Sequence, residues 1–266
     1  MLAPVIRPTR IALCIATAMA APAAVARAGE TACWFENGVV IAPASVLGVA
    51  GDYLIDTATP DTQLHETRAQ GEGLTETGFS GEVRLAEERL AGQAVKVVDL
   101  DMRLGALPTP VMGVIGADVL RGFVVDVIFS PCRLRLSRPG HAPRFGRAGR
   151  LPLSWAAGRP TVIAQVSDGA RTLTEAFAVS TGADRPVRIS DALASVSGAP
   201  EPRELYPDGA ARPHLGSLSF ADEVIQQLPS GLEADQGTAG TIGPPVLARY
   251  RLRFDFPRGE LLIGRP

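Results

Sequence analysis

Two short segments of the chain carry the side chains best suited to chemistry. Asp56 and Thr57 follow an apolar pair in the first segment, and Ser180 and Thr181 follow an apolar pair in the second. Near neutral pH a carboxylate holds a negative charge and can take up a proton, whereas a hydroxyl stays neutral and donates a hydrogen bond. The two segments therefore differ at the position that decides the chemistry.

A second pair of matching segments follows the first pair at similar spacing. The stretch GVIGADVL begins at Gly113, and GTIGPPVL begins at Gly240. The first starts 57 residues after Asp56 (56 to 113), and the second starts 60 residues after Ser180 (180 to 240). Landmarks repeated in the same order at nearly equal spacing indicate a duplicated unit, so each half is expected to form the same small fold.

The elements that position these segments are predicted to be strands. Apolar and polar residues alternate over 98–104 and again over 250–256, which is typical of strands with one buried face. The chain's 28 Gly and 22 Pro separate short apolar runs, which favours an all-β architecture. Short helices are expected at 62–69, after the first segment, and at 117–121, after the glycine step.

The chain divides into four predicted parts. Arg7 and Arg10 precede an apolar run that ends in small residues before Gly29, so residues 1–28 are expected to be a signal peptide. Residues 29–138 form the first lobe, the Gly-, Pro- and Arg-rich stretch 139–149 a linker, and residues 150–266 the second lobe. A secreted or periplasmic location follows, and no later segment reaches the length of a membrane span. A net charge of −2 gives no electrostatic reason to expect nucleic acid or membrane as a partner.

Two cysteines remain once the predicted signal peptide is removed. In an oxidising compartment Cys33 and Cys132 are expected to form a disulfide, although two buried free thiols are the alternative. No Cys-x-x-Cys motif occurs, and His65, His141 and His214 are far apart in sequence, so no metal site is expected.

The four segments together resemble the retropepsin-like and pepsin-like aspartic peptidases, in a tandem-repeat, bacterial-type exported form. In that family an apolar pair precedes Asp-Thr-(Gly/Ala), and a later apolar-apolar-Gly step leads into a short helix. The resemblance implies an all-β fold of two homologous lobes with a cleft between them. It also implies a peptide or protein substrate, hydrolysis of peptide bonds and no cofactor. The matching segments are Leu54–Ala58, Val114–Gly116, Ala178–Gly182 and Thr241–Gly243.

The resemblance also implies roles for single residues. Two aspartates of the family share a proton, and the ionised one deprotonates a water molecule. Asp56 is expected to activate this water, with Ser180 in the position of the second carboxylate. Thr57 and Thr181 are expected to interlock beneath the site. Ala58 and Gly182 are expected to contact substrate, and Ala58 departs from the usual glycine.

Several hypotheses are open because Ser180 stands where the family has its second carboxylate. Two chains could pair so that Asp56 meets Asp56 of a second copy, although a monomer is expected rather than a homodimer. Asp184 could replace the missing carboxylate, or the cleft could bind peptide without cutting it. The leading hypothesis is an exported endopeptidase, and the alternative is a catalytically degenerate peptide-binding protein. The simplest structural role for Asp56 is that of a turn-capping residue at the end of a strand.

A flap that covers the substrate is predicted at residues 77–81. Gly78, Phe79 and Ser80 lie in this glycine-rich stretch, between the Asp56 segment and the glycine step, and are expected to contact substrate. An ordinary hairpin turn is the alternative for this stretch.

Overall fold

The computed structural model of the protein describes residues 29–167, 171–194, 203–205 and 212–266, so the predicted signal peptide lies outside the described residues. Most of the described chain is in strands. The strands are β1 (Gly29–Ala32), β2 (Trp34–Glu36), β3 (Val39–Val46), β4 (Val49–Ile55), β5 (Gln63–His65), β6 (Gly78–Leu85), β7 (Glu88–Val98), β8 (Val111–Ile115), β9 (Val124–Phe129), β10 (Cys132–Ser137), β11 (Gly149–Pro152), β12 (Ser154–Ala156), β13 (Arg159–Ser167), β14 (Thr172–Val179), β15 (Val187–Ser190), β16 (Arg203–Leu205), β17 (Arg212–Phe220), β18 (Glu223–Glu233), β19 (Gly240–Ile242), β20 (Arg251–Asp255) and β21 (Glu260–Gly264). The helices are short: α1 (Glu66–Gly71), α2 (Asp101–Leu104), α3 (Ala117–Leu120), α4 (Asp191–Ala194), α5 (Pro244–Leu247) and a 3₁₀ turn (Phe256–Arg258).

The strands form two closed barrels with the same order. In the first lobe the order is β3-β4-β8-β5-β7-β6, and pairing of β6 with β3 closes the barrel. In the second lobe the order is β13-β14-β19-β15-β18-β17, and pairing of β17 with β13 closes it. Taken in chain order, each strand of one barrel has its counterpart in the other. The prediction of an all-β fold with two similar lobes is confirmed.

A third sheet joins the lobes, in the order β1-β10-β9-β20-β21-β11. Its central pair, β9 and β20, brings Asp126 opposite Arg253, whose guanidinium donates two hydrogen bonds of 2.6 and 2.8 Å to the Asp126 carboxylate. Both side chains are buried, so the charges compensate each other where the lobes meet. Cys33, which follows β1, and Cys132, the first residue of β10, form the predicted disulfide at the edge of this sheet.

The repeated glycine steps have a steric cause. Gly113 in β8 and Gly240 in β19 lie against the strands β5 and β15 of their own lobes. A Cβ atom would lie 2.2 Å from a backbone oxygen at Gly113 and 2.0 Å from one at Gly240, closer than any real contact. The repeat in the sequence therefore reflects the same close crossing in each barrel.

Two local predictions were wrong in part. Residues 63–65 of the helix predicted at 62–69 form β5, because they pair with β7 and β8, and the helix α1 begins only at Glu66. The alternating stretch 98–104 is not one strand, since β7 ends at Val98 and α2 begins at Asp101. The Asp99 carboxylate accepts a 2.8 Å hydrogen bond from the Asp101 amide and so turns the chain. The predicted helix at 117–121 is confirmed as α3, and the strand predicted at 250–256 as β20.

Candidate active site

The two chemically distinct residues lie at the same place in the two lobes. Asp56 follows β4 and its amide donates to the Ile115 carbonyl at 3.0 Å, while Ser180 follows β14 and donates to the Ile242 carbonyl at 3.0 Å. Both side chains are buried where the lobes meet, and the Ser180 hydroxyl donates to Asp56 Oδ1 at 2.7 Å. The matched strands thus bring together two residues that are 124 positions apart in sequence.

The two threonines form a symmetrical set of crossed hydrogen bonds beneath this pair. Thr57 Oγ1 donates to the Val179 carbonyl at 2.6 Å, and Thr181 Oγ1 donates to the Ile55 carbonyl at 2.6 Å. Each Oγ1 also accepts from the backbone amide of the other threonine at 3.2 Å. Both threonines are fully buried, so this crossed set fixes the two loops to each other across the lobe boundary.

The Asp56 carboxylate is saturated with donors from the protein. Oδ1 accepts from the Ala58 amide at 2.9 Å and from the Ser180 hydroxyl at 2.7 Å. Oδ2 accepts from the Thr59 hydroxyl at 2.6 Å and from Arg103 Nη2 at 2.5 Å. A carboxylate has about four acceptor positions, and all of them are filled.

The charge state of Asp56 follows from these contacts. Burial alone raises the pKa of the carboxyl, because it removes the charged form from water. The positive charge of Arg103 and the hydrogen bonds from Thr59, Ser180 and Ala58 outweigh burial, so the pKa lies below its ordinary value of 3.8. Asp56 is therefore a carboxylate at neutral pH.

Arg103 and Thr59 are site residues that the sequence analysis missed. Arg103 lies on α2 and reaches Asp56 over 47 positions of sequence, so no local pattern could have indicated it. Thr59 lies only three residues after Asp56, and the hydroxyl in the sequence Asp-Thr-Ala-Thr was an available signal. Both add a donor to Oδ2 that the prediction did not include.

The loop residues that follow Asp56 and Ser180 differ for steric reasons. The Gly182 amide donates to Ser180 Oγ at 3.1 Å, just as the Ala58 amide donates to Asp56. A Cβ atom at Gly182 would lie 2.6 Å from Asp56 Cβ and 2.7 Å from Asp56 Cγ, which excludes any side chain there. By the matching geometry of the loops, position 58 lies opposite the smaller Ser180 and carries a buried methyl group. Ala58 in place of glycine is consistent with a serine across the cleft.

A buried arginine replaces a backbone hydrogen bond between the lobes. The Val40 amide at the start of β3 donates to the Thr181 carbonyl at 3.0 Å. The equivalent residue of β13 is Pro160, which has no amide hydrogen. The preceding Arg159 instead donates through Nε to the Ala58 carbonyl at 3.1 Å.

Arg159 also connects the Asp56 loop to a second carboxylate. Its Nη2 donates to Thr241 Oγ1 at 2.7 Å, and Thr241 Oγ1 donates to Glu233 Oε1 at 2.7 Å. Burial lowers the pKa of the Arg159 guanidinium; the charge of Arg103 lowers it further, whereas Glu233 and Asp56 oppose this fall. Among the described contacts no hydrogen bond joins Glu233 to Asp56, so Glu233 does not complete a carboxylate pair.

These residues border one cavity of about 830 Å³, here called the Asp56 cleft. Residues from both lobes line it, and the predicted substrate contacts Ala58 and Gly182 are among them. Met102 on α2 and Leu232 on β18 line it with apolar side chains that are 99% and 54% exposed. The lining comprises Asn37, Val39, Leu54, Asp56, Ala58, Thr59, Pro60, Gln63, Met102, Arg103, Ala106, Leu107, Arg159, Ser180, Gly182, Ala183, Asp184, Arg188, Leu232, Glu233, Ala234, Gln236 and Thr241.

The position predicted for the flap needs correction. Gly78, Phe79 and Ser80 lie within β6, paired with residues 94–96 of β7, and the turn of this hairpin is at residues 86–87. They are not among the residues that line the Asp56 cleft. Gly81, the last glycine of this stretch, leaves space for the Leu47 side chain. A Cβ atom at this position would lie 2.4 Å from Leu47 Cδ2. Glycine here marks close packing rather than a turn.

Asp184 does not take the place of the missing carboxylate in this structure. Its Oδ1 accepts from Arg188 Nη2 at 2.5 Å, and its side chain is 58% exposed. Ser180 thus remains the residue that faces Asp56.

One group of potential metal ligands occurs in the described part of the chain. Ligand atoms of His65, Asp99 and Asp101 lie within 4.8 Å of one another, and both carboxylates are exposed. His65 Nε2 lies 2.9 Å from Asp101 Oδ1, and Asp99 binds the Asp101 amide. These hydrogen bonds explain why the three side chains lie together: they connect the end of β7 to the start of α2.

None of the helices in the described ranges has the length and apolarity that crossing a membrane requires.

Comparison with solved structures identifies the fold class. The chain is similar to the aspartic proteinase from Irpex lacteus, with a TM-score of 0.54 over 90% of this chain and 97% of that one, at 13% sequence identity. Identity this low shows the fold alone, which is the two-lobed all-β fold of the pepsin-like aspartic proteinases. No protein-family model and no curated protein matches the chain.

Proposed function

We propose that this is an exported protein that binds peptides in the Asp56 cleft and does not cut them. The observation that carries the proposal is the saturated carboxylate: the four acceptor positions of Asp56 are filled by Ala58, Ser180, Thr59 and Arg103. A water molecule that Asp56 is to deprotonate needs one of these positions.

Ser180 supports the same proposal. The mechanism implied by the fold needs a second carboxylic acid to hydrogen-bond the scissile carbonyl and share a proton with the first. The Ser180 hydroxyl already donates to Asp56 and accepts from the Gly182 amide. Ser180 therefore acts as a neutral positioning residue, as do Thr57 and Thr181 in the crossed set below it.

A peptide is the ligand class that the fold and the cleft favour. The fold is similar to that of an aspartic proteinase, and a proteinase acts on peptides. The Asp56 cleft draws its lining from both lobes and has exposed apolar side chains, Met102 and Leu232, on opposite lobes. Burial of such apolar side chains under a ligand would favour binding, because it removes them from water.

An aspartic endopeptidase is the second candidate, and the exposure of Arg103 favours it. The Arg103 side chain is 32% exposed and Asp56 is its described side-chain partner, so a substrate could draw Arg103 aside. Asp56 would then activate water, with Ser180 in the second carboxylate's position. This candidate predicts that loss of Arg103 increases cleavage.

Export rests on the predicted signal peptide and on the disulfide. Cys33 and Cys132 are bonded, which fits an oxidising compartment such as the periplasm or the exterior of the cell. We propose that the exported chain works as a monomer, since both halves of the cleft come from one chain.

Blocking the cleft tests the proposed function. Ala106 is exposed and lines the cleft, so Ala106→Trp obstructs it without altering the buried network. Ala91→Trp is the matched control, because Ala91 is exposed on β7 and outside the cleft lining. Binding is measured with a peptide mixture by mass spectrometry of the retained peptides.

We expect the unaltered protein and Ala91→Trp to retain intact peptides and Ala106→Trp to lose them. Retention of no peptide by the unaltered protein, or equal retention by Ala106→Trp, would overturn the proposal.

A further inference from the structure

We infer that the Asp56 cleft selects peptides that carry a carboxylate, and that Arg103 is the residue that binds it. The inference rests on the proposed function and names the ligand chemistry that the cleft prefers.

Arg103 has hydrogen-bonding capacity to spare. A guanidinium has five N–H donors, and the described contact with Asp56 uses one of them, on Nη2. The side chain is one-third exposed and lines the cleft. An arginine that binds one carboxylate through one edge can bind a second carboxylate through the other.

The other two arginines of the cleft, Arg159 and Arg188, are less suited to bind a ligand carboxylate. Arg159 is buried and donates through Nε, Nη1 and Nη2 to Ala58, Thr238 and Thr241. Arg188 is about as exposed as Arg103 and also donates through one Nη2, but its partner Asp184 is 58% exposed and would repel a ligand carboxylate. The partner of Arg103 is the buried Asp56, so a ligand carboxylate is bound best at Arg103.

The charges next to Arg103 are compatible with an additional anion. Arg103 lies close enough to Arg159 for its charge to lower the pKa of that guanidinium, although burial has the larger effect and the charges of Glu233 and Asp56 oppose the fall. The negative charge of Asp56 is distributed over four donors and is buried. A ligand carboxylate at Arg103 would reduce the repulsion between the two guanidinium groups without lying against an unsolvated, unpaired anion.

The exposed apolar side chains near Arg103 determine which residues should flank the carboxylate in a test peptide. Met102 precedes Arg103 on α2 and is almost fully exposed, and Leu232 on the opposite lobe is 54% exposed. A test peptide therefore carries its carboxylate between leucines. The carboxylate could come from an acidic side chain or from the end of a chain, and the two sources are separable with synthetic peptides.

The test uses the protein with three peptides of one design. The first is acetyl-Ala-Ala-Leu-Glu-Leu-Ala-Ala-amide, the second has Gln in place of Glu, and the third has Gln and a free C-terminal carboxylate. Affinities are measured by calorimetry at low and high salt. The same peptides are tested on Arg103→Gln and on Arg121→Gln, whose exposed arginine lies outside the cleft lining.

If Arg103 donates a charged hydrogen bond to the Glu carboxylate, the unaltered protein should bind the Glu peptide about tenfold or more tightly than the Gln peptide. High salt should reduce this preference. Arg103→Gln should bind both peptides equally, and Arg121→Gln should keep the preference. A preference for the third peptide over the second, with none for the first, would assign the site to chain ends.

Equal affinity for all three peptides would overturn the inference and leave the proposed function standing. A Glu preference that persists in Arg103→Gln would show that another residue binds the carboxylate. If the unaltered protein binds none of the three peptides and also retains no peptide from the mixture, the proposed function itself would be overturned. Because the Glu and Gln peptides are compared on the unaltered protein, the outcome does not depend on how Arg103→Gln folds.

Discussion

Replacing Arg103 by glutamine is the sharpest perturbation of the electrostatics of the cleft. The Asp56 carboxylate is 6% exposed. Arg103 is the positively charged one of its four hydrogen-bond donors, and the other three are neutral. In Arg103→Gln, burial would raise the pKa of Asp56, and the hydrogen bonds from Thr59, Ser180 and Ala58 would oppose this rise together with the charge of Arg159. The pKa of Asp56 should therefore rise relative to the unaltered protein.

The cost in stability follows from the same contacts. A hydrogen bond to a charged group contributes about 1.5–3 kcal/mol. Arg103 is 32% exposed, so solvent screening places the expected loss at the lower end, at about 1.5–2 kcal/mol near neutral pH. A carboxyl whose pKa is depressed by folding stabilises the protein above its unfolded pKa, and this contribution is lost as the pH falls through the folded value. Because the unfolded state is the same in both proteins, the difference between them should be complete above the raised pKa of Asp56 in Arg103→Gln. It should shrink as the pH falls towards the lower pKa of Asp56 in the unaltered protein.

Urea unfolding from about pH 3 to pH 8 measures this difference, and carbon-13 NMR of the Asp56 carboxyl measures its pKa directly. Arg84→Gln is the control, because Arg84 and Glu82 form an exposed pair that should contribute little. A destabilisation equal at every pH, or an unchanged pKa for Asp56, would refute the reasoning.

Three further predictions concern the frame around the site. Thr57→Val should lower the free energy of unfolding by about 2–5 kcal/mol, because it leaves a buried carbonyl and a buried amide without partners. Gly182→Ala should cost about 1–3 kcal/mol, since its methyl group would collide with Asp56, and urea unfolding measures both losses. Replacing Cys33 and Cys132 by alanine opens a link across 99 residues and should cost about 4–5 kcal/mol, measured by thermal and urea unfolding.

Matched variants separate these effects from general disturbance. Thr31→Val removes a hydroxyl whose hydrogen bond to the next residue is exposed, and should cost little. Ala58→Gly removes a methyl group at the position equivalent to Gly182 and introduces no collision. A loss for Thr57→Val as small as that for Thr31→Val would contradict the importance of the crossed set. Full tolerance of Gly182→Ala would contradict the steric account of this glycine.

The sequence predicted the frame of the site well, because the frame is encoded twice. Asp56 and Ser180 each follow a strand and precede a threonine, so two copies of one local pattern indicated two loops with one geometry. The structure brings Asp56, Ser180 and the two threonines together as that pattern implies. The glycine steps were recognisable for the same reason.

The residues that set the charge of the site were not predictable in this way. Arg103 and Arg159 both depart from the repeat: Arg103 lies on α2, and Arg159 on β13 takes the place of Val39 on β3. Their contacts to the Asp56 loop span 47 and 101 positions of sequence. Such contacts depend on how the strands pack, so neither local propensity nor repeat symmetry indicates them.

The segments misassigned from sequence show a related limit. Alternation over 98–104 predicted a strand, but Asp99 accepts a hydrogen bond from the Asp101 amide and begins a turn. Met102, expected on the buried face, is 99% exposed. At Gly78–Gly81, glycine in a strand was indistinguishable from glycine in a turn, because the side chain it accommodates, Leu47, is distant in sequence.

The most direct measurement is peptide cleavage by the protein from about pH 3 to pH 8, with Asp56→Asn measured alongside. The saturated carboxylate and the neutral Ser180 predict that a peptide library stays intact across this range with both proteins. Cleavage by the unaltered protein that disappears in Asp56→Asn would contradict the account and establish Asp56 as a catalytic residue.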